Sequence, residues 1–436
     1  MTSPGLDLGS LVRSDRVHRR VYADPAVFDL ELARIFGRAW IYVGHESQVR
    51  HAGDYYATRI GREPVILVRS DDGRVRVLHN RCAHRGALVV ADERGHTADF
   101  RCAYHGWTYR TDGSLLAVPL PQGYAAAPTA DPALGLRSVA RSSSYRGFVF
   151  ASLAADGPDL ATFLGPVASS LDDMVERAPD DALEVAGGVF KHAYDGNWKL
   201  YLENLNDGVH PNAVHQSSIE AARAQDDNVA TNGAGEIAVR QMRQNGAAYG
   251  FWEKEVGLFT FPFGHSYLSD YHTDEKLVAA KRDPVFADYI AALERAKGRA
   301  RTQAILSVGR WNTNLYPNCS FMSQFRQLRV VHPISVDRTE VHTFNFRMRG
   351  APARMFHDTI RFANVVNGTG SPVLTDDLET YGRIQAGLQS QGPEWINTAR
   401  QFARERPDRN GGHVSDGTSE AHIRNMFAAW VHYMAA

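Results

Sequence analysis

Apolar positions fall into three regimes along the chain. After Asp24 and Pro25, residues Phe28, Leu32, Ile35 and Phe36 recur at helical spacing, which predicts a helix closing a polar N-terminal arm. From residue 40 to about 153 the pattern shortens to β-type runs. Val65-Ile66-Leu67-Val68 and Val75-Arg76-Val77-Leu78 flank the turn Ser70-Asp71-Asp72-Gly73, and similar runs surround residues 101–109 and 145–151. An antiparallel β module is expected there. Beyond Ala155-Asp156-Gly157-Pro158, helical patterns mix with strands at residues 321–331 and 340–349. The fold class predicted is α+β, with a helical lead-in at residues 1–39, a β domain at 40–155 and an α+β domain at 156–436. Residues 220–246, poor in periodic apolar positions and rich in Ala, Asn, Gly and Gln, predict a long loop of the kind found over active sites.

Composition narrows the partners. A chain of 436 residues suffices for two cores. With 44% hydrophobic residues, 22% charged and a net charge of −1, it carries no excess of positive charge for a polyanion, so nucleic acid is not expected. No run of 18 apolar residues occurs and residues 1–20 hold no apolar segment, so a cytoplasmic protein off the membrane is expected. Cys82, Cys102 and Cys319 are too few, and odd in number, for a disulfide framework.

Two of those cysteines sit beside histidines. Cys82-Ala83-His84 and Cys102-Ala103-Tyr104-His105 form C-x-H and C-x-x-H with 17 residues between them. Two thiolates and two imidazoles are the ligands of a [2Fe–2S] centre of the Rieske type, and two matching hairpin tips would supply one Cys and one His each. A structural zinc accepts the same set, but C-x-H is shorter than the usual zinc-finger arm. Two unrelated Cys/His pairs is the plainest alternative. Arg85-Gly86 follows the first pair and Gly106-Trp107 the second, and Gly106 would let backbone N–H groups approach cluster sulfurs.

A second constellation reads Asp207-x-x-His210-x-x-x-x-His215. Two histidines plus a distant carboxylate make a facial triad suited to non-haem Fe(II) and O₂. On a regular helix a five-residue step turns about 500°, leaving the rings roughly 140° apart. Pro211 is expected to relieve this by breaking or widening the turn between the histidines. Asp207, three residues before His210, would share a face with it if the helix persists and orient its imidazole. Surface histidines and a surface acid are the bland readings. Arg326 and Arg329, in a predicted strand, are candidates to bind a substrate carboxylate, with a solvated face or buried ion pair as alternatives. Cys319 reads as a buried thiol.

Asn80-Arg81-Cys82-Ala83-His84-Arg85-Gly86, Cys102-Ala103-Tyr104-His105-Gly106-Trp107-Thr108-Tyr109 and the Asp207 to His215 segment resemble, in order and spacing, the motifs of Rieske non-haem-iron aromatic ring-hydroxylating dioxygenase alpha subunits. The resemblance implies that Cys82, His84, Cys102 and His105 hold the cluster, and that His210 and His215 hold a mononuclear iron. It implies that Asp207 bridges a cluster histidine of a neighbouring subunit to a histidine of the iron. Val373-Leu374-Thr375-Asp376-Asp377-Leu378-Glu379 resembles the third-ligand stretch, implying Asp377, with Asp376 as rival and a helix capped by Thr375 and running to Leu388 as the structural alternative. Asn204 corresponds to a polar residue near the iron, with Glu203 competing for that place. The fold implied is a β Rieske domain beside a helix-grip catalytic domain with which residues 1–39 belong. The activity implied is reductase-supplied dihydroxylation of an aromatic ring by O₂ to a cis-diol. The implied partners are an aromatic small molecule, a ferredoxin and/or flavin reductase, and the chain's own copies in a homotrimer or in an α₃β₃ assembly with small β subunits. A Rieske monooxygenase, hydroxylating or demethylating, shares these motifs; a Rieske electron-transfer protein would lack the second iron.

Overall fold

The computed structural model describes residues 7–225, 234–271 and 284–435. The chain forms two compact units, Leu32–Leu160 and a larger one joining Met1–Glu31 to Ala161–Ala436.

The smaller unit is built from three antiparallel sheets. One has four strands, in the order Val75–His79, Glu63–Arg69, Asp54–Ile60, Arg94–His96. Its predicted hairpin closes through Ser70 N–H donating to the Arg74 carbonyl at 2.9 Å. A second sheet pairs Asp99–Arg101, Thr108–Arg110 and Leu115–Ala117; a third pairs Arg141–Tyr145, Phe148–Ser152 and Ile41–His45. Ile66, Val68, Leu78, Phe100, Trp107 and Tyr109 make one core, and Cys82 and Cys102 are part of it. The thiols are thus held from behind by packing, not by flexible loops.

The larger unit is organised on a nine-stranded antiparallel sheet. Its order is Leu183–Tyr194, Arg338–Met348, Gln327–Ser335, Cys319–Met322, Val308–Leu315, Ser266–Tyr271, Gly257–Thr260, His413–Asp416, Arg406–Pro407. Helices include Ala353–Val366, Pro372–Gln389 and Ala421–Met434. The architecture is α+β, as expected. Cys319 is a buried, unpaired thiol, as its sequence context suggested. Arg16–His18 pairs with Trp395–Asn397, and Glu31 is fully buried in the unit. Its carboxylate accepts from Lys199 Nζ at 2.6 Å, Trp198 Nε1 at 2.8 Å and Trp430 Nε1 at 2.6 Å. Among the described residues no helix is long and apolar enough to cross a membrane.

Three local expectations change. The helix after Pro25 runs as α only to Glu31 and continues as a π-turn over Leu32–Phe36. The stretch 220–246 is largely helical where described: Gln216–Arg223 and Ala234–Asn245 flank residues 226–233, which lie outside the described set. Its apolar residues are few because short helices with one buried face need few, Ala222 and Met242 among them. Thr375 is not a cap. The helix begins at Pro372 with Ser371 Oγ accepting from Leu374 N–H at 3.2 Å, which puts Asp376 and Asp377 in its second turn.

Candidate functional site

The two Cys/His loops have the same backbone design. Cys82 N–H donates to the Ala87 carbonyl at 2.8 Å and Gly86 N–H donates back to the Cys82 carbonyl at 2.9 Å. Cys102 N–H donates to the Trp107 carbonyl at 2.8 Å and Gly106 N–H to the Cys102 carbonyl at 3.0 Å. Each turn needs a left-handed residue, supplied by Gly86 at φ 76° and Gly106 at φ 70°. These loops bring the His84 and His105 rings to 4.6 Å between centroids. Trp107 stacks flat on His84 at 5.0 Å, and His84 Nδ1 is buried with no hydrogen-bond partner, as a nitrogen reserved for a metal is. Burial, then His105, hold His84 below the usual imidazole range, favouring its neutral, ligating form. Behind the thiols, Ala83 N–H donates to the Tyr109 hydroxyl at 3.1 Å, and that hydroxyl lies 3.1 Å from Cys82 Sγ.

These four residues are not among the groups whose donor atoms converge on one point; among the described residues only His210, His215 and Asp377 do so. A single tetrahedral zinc requires such convergence, because its bonds are only about 2.0–2.3 Å long. A two-iron cluster instead separates its thiolate end from its imidazole end, which the donor set here fits.

The second site is assembled from two distant segments. Helix Trp198–Leu205 ends before Asp207, so the shared helix face expected for Asp207 and His210 does not exist. Their proximity comes from a turn in which Asp207 Oδ1 accepts from Val209 N–H at 2.7 Å and from His210 N–H at 3.4 Å. Gly208 fits this turn because a Cβ there would stand 2.3 Å from the Gly417 carbonyl. The break in helical geometry falls elsewhere than Pro211 suggested. His210 is itself αR and Pro211 opens the helix Pro211–Val214 as its first residue, where its missing N–H costs nothing. The interruption is at His215, with φ −100° and ψ 23°, before helix Gln216–Arg223. That offset lets both rings face one point, with centroids 5.5 Å apart.

Asp377, from helix Pro372–Gln389, meets them there. Its Oδ1 lies 3.4 Å from His215 Nε2 and 3.9 Å from His210 Nε2, and the three donor atoms lie within 4.8 Å of one another. Asp376 stands on the far side of His215, with Oδ2 at 3.4 Å from Nδ1. Asp207 Oδ2 takes the corresponding place at His210, 3.8 Å from Nδ1. Each imidazole thus turns Nε2 inward and has a carboxylate near its outer nitrogen, the usual surrounding of a metal-ligating histidine. Burial lowers the His210 pKa against the pull of Asp207 and Asp377, while burial raises Asp377 against that of the two histidines. Two imidazoles and a carboxylate with donor atoms this close together suit a divalent metal.

Comparisons with known proteins place the whole assembly. Residues 39–130 match the Rieske [2Fe-2S] domain, and residues 174–436 match the ring hydroxylating alpha subunit catalytic domain. The chain belongs to the Rieske aromatic ring-hydroxylating dioxygenases, as an alpha subunit. It is 35% identical to the toluate 1,2-dioxygenase subunit alpha of Pseudomonas putida, over 93% of this chain and 87% of that one. It is 34% identical to the 2-halobenzoate 1,2-dioxygenase large subunit of Burkholderia cepacia, over 88% and 80%. Its fold is that of naphthalene 1,2-dioxygenase with indole bound, at a TM-score of 0.83 and 23% identity, covering 98% of this chain and 94% of that one. As a terminal oxygenase of this family the alpha subunit carries a Rieske [2Fe–2S] domain and a His-His-Asp iron-site motif.

Within this dioxygenase the remaining candidates separate. Asn204 Nδ2 donates to Asp377 Oδ1 at 3.1 Å and so stands at the site. Glu203 turns away, accepting from the Tyr22 hydroxyl at 2.8 Å. Arg326 is spent on structure, donating to Thr359 Oγ1 at 2.7 Å and to the Gln324 and Met355 carbonyls. Arg326 is also not in the strand expected for it but a left-handed residue just before strand Gln327–Ser335, whereas Arg329, three residues on and inside that strand, lines the same cavity as His210, His215 and Asp377. That cavity measures about 110 Å³. Tyr109, Trp107 and Asp376 carry no signal in the sequence for the contacts they make, since each contact joins residues through the fold.

Proposed function

We propose that this alpha subunit cis-dihydroxylates an aromatic ring at a mononuclear Fe(II) held by His210, His215 and Asp377, using electrons from a [2Fe–2S] cluster held by Cys82, His84, Cys102 and His105. The observation that carries the reading is the convergence of Nε2 of both histidines and Oδ1 of Asp377 on one point in the wall of a cavity lined by both polar and aromatic side chains. Iron in such a triad keeps open positions for O₂ chemistry. The protein does the rest. Asp376 and Asp207 orient the two imidazoles through their outer nitrogens; Asn204 steadies Asp377; Trp252, Trp311 and Phe362 give the ring a dry wall. Asp207, whose side chain is 36% exposed, also has a face available to a neighbouring chain, which supports a role in passing electrons between subunits of a trimer.

Both relatives are named as subunits of enzymes acting on aromatic acids, which supports an aromatic substrate and a small-subunit partner; an α₃β₃ assembly is the form proposed for that pairing. A ferredoxin and/or flavin reductase would supply electrons. Three unpaired cysteines support the reducing cytoplasm as its compartment. The test is product analysis over a panel of arenes with a compatible reductase under isotope-labelled O₂. Two labelled atoms in one product are expected; one labelled atom refutes dioxygenation. Iron content unchanged in His210→Ala refutes the ligand assignment.

A further inference from the structure

Among the described residues, Arg329 is the one arginine or lysine that lines the cavity beside His210, His215 and Asp377. It projects from strand Gln327–Ser335 and is 3% exposed. Its Nη2 donates to Asn312 Oδ1 at 2.6 Å and to Ser320 Oγ at 3.3 Å, while its Nε is buried with no partner. No carboxylate among the described residues lies within ion-pair distance of it. Asn312 is in turn anchored, its Nδ2 donating to the Leu205 carbonyl. The guanidinium is therefore aimed by neutral groups and left without a counter-charge.

That is a costly way to bury an arginine for packing alone, since a buried charge is normally paired. Burial pulls its pKa below the usual arginine range, and the nearby Tyr201 and Tyr381 phenols only partly oppose this. Those phenols cannot serve as the missing anion: burial pushes Tyr201 up to about 12 and Tyr381 well above its usual range. Arg329, Tyr201, Tyr381 and the candidate iron ligand Asp377 line the same cavity. A cavity of roughly 150 Å³ takes one benzene, so the space here, about 110 Å³, has no room for a polycyclic arene. A planar fork of donors matches the two oxygens of a carboxylate.

We propose that Arg329 is the receptor for a ring carboxylate, so that this oxygenase takes monocyclic aromatic acids and holds them by their carboxylate with the ring toward the His210/His215/Asp377 site. The inference rests on the proposed ring-hydroxylating function for its chemistry, but its binding claim is separable. Asn312 is then a positioning residue that keeps the fork oriented.

The test is equilibrium dialysis of the anaerobic holoenzyme against benzoate and benzamide, a pair alike in shape and different in charge. Wild type is expected to bind benzoate at least 10-fold more tightly. In Arg329→Gln benzoate binding falls about 10–100-fold while benzamide changes less than about 3-fold. Arg329→Lys, which keeps the charge and loses the fork, falls between and guards against a Gln variant that fails to fold. No preference in wild type, or equal loss of both ligands in Arg329→Lys with its cluster spectrum intact, overturns the proposal. If benzoate binds through Arg329 but no arene gains oxygen, the ring-hydroxylating reading fails and the receptor stands. If neutral arenes are oxygenated without discrimination for benzoate, the reverse holds.

Discussion

Asp376 stands 3.4 Å from Nδ1 of His215, on the opposite edge of the ring from the nitrogen that faces Asp377. Successive residues on a helix point about 100° apart, so two neighbouring aspartates on helix Pro372–Gln389 reach around one imidazole from both sides. The two carboxylates are chemically identical and differ only in which nitrogen they address.

This geometry separates their mutants. Asp377→Ala is expected to remove iron and activity together while the cluster's visible spectrum stays normal. Asp376→Asn, which keeps a polar group at Nδ1, is expected to bind iron and lose about 10–100-fold in affinity or turnover. Iron per chain and turnover measured on both variants decide it, and equal behaviour would reverse the assignment.

Asp207→Asn keeps the acceptor for the Val209 and His210 amides, so the turn and the iron should survive. Steady-state turnover is expected to fall more than about 100-fold, from the lost carboxylate near His210 and toward a neighbouring subunit. Iron analysis beside turnover checks this; wild-type turnover would remove Asp207 from the electron path.

Tyr109→Phe removes the hydroxyl 3.1 Å from Cys82 Sγ. That hydroxyl, donating to a thiolate, stabilises the more negative reduced cluster. The reduction potential is expected to drop by on the order of tens of millivolts, the equivalent of one hydrogen bond in a one-electron couple. A redox titration of the Rieske spectrum reads the shift, and an upward or absent shift contradicts it.

Glu31→Ala leaves Lys199 buried with its charge unmatched, both side chains being 0% exposed in the wild type. Breaking a buried pair from one side costs about 3–5 kcal/mol. Denaturant unfolding should show a loss of that order, and Glu31→Gln, which still accepts from the Trp198 and Trp430 indoles, a smaller one.

Burial pushes the Glu203 carboxyl up from its usual range to about 7. The folded state then holds a proton that the unfolded chain releases near 4.5, so stability contributed by Glu203 is full below that pH and lost as pH rises toward 7. Glu203→Gln should flatten this part of the stability-versus-pH curve relative to wild type. Parallel curves from pH 4.5 to 7 would place the Glu203 pKa near its ordinary value.

The candidate cluster ligands were legible because Cys82, His84, Cys102 and His105 recur with local spacing, and the loops that present them are themselves local: each is closed by hydrogen bonds within six residues of its cysteine. The hairpin at residues 63–79 was legible for the same reason, its register being set by one turn. His210 and His215 stood out as a pair, yet the conformation that joins them did not, because Pro211 can either break a helix or begin one and only its surroundings choose. Asp207 was placed beside His210 correctly but on a helix that ends two residues earlier.

The chain's sequence alone determined residue types at short spacing, the alternation of apolar positions, and so the α+β class and the four cluster candidates. Tertiary structure decided everything carried by contacts across long stretches of chain. It set Asp377 against Asp376 at His215, put Asn204 rather than Glu203 at the site, and left Arg329 rather than Arg326 facing the cavity. In two of the three pairs the side chains are identical, and in the third both are polar and adjacent in the chain. Burial and partners tell them apart, and these exist only once the strands and helices have packed.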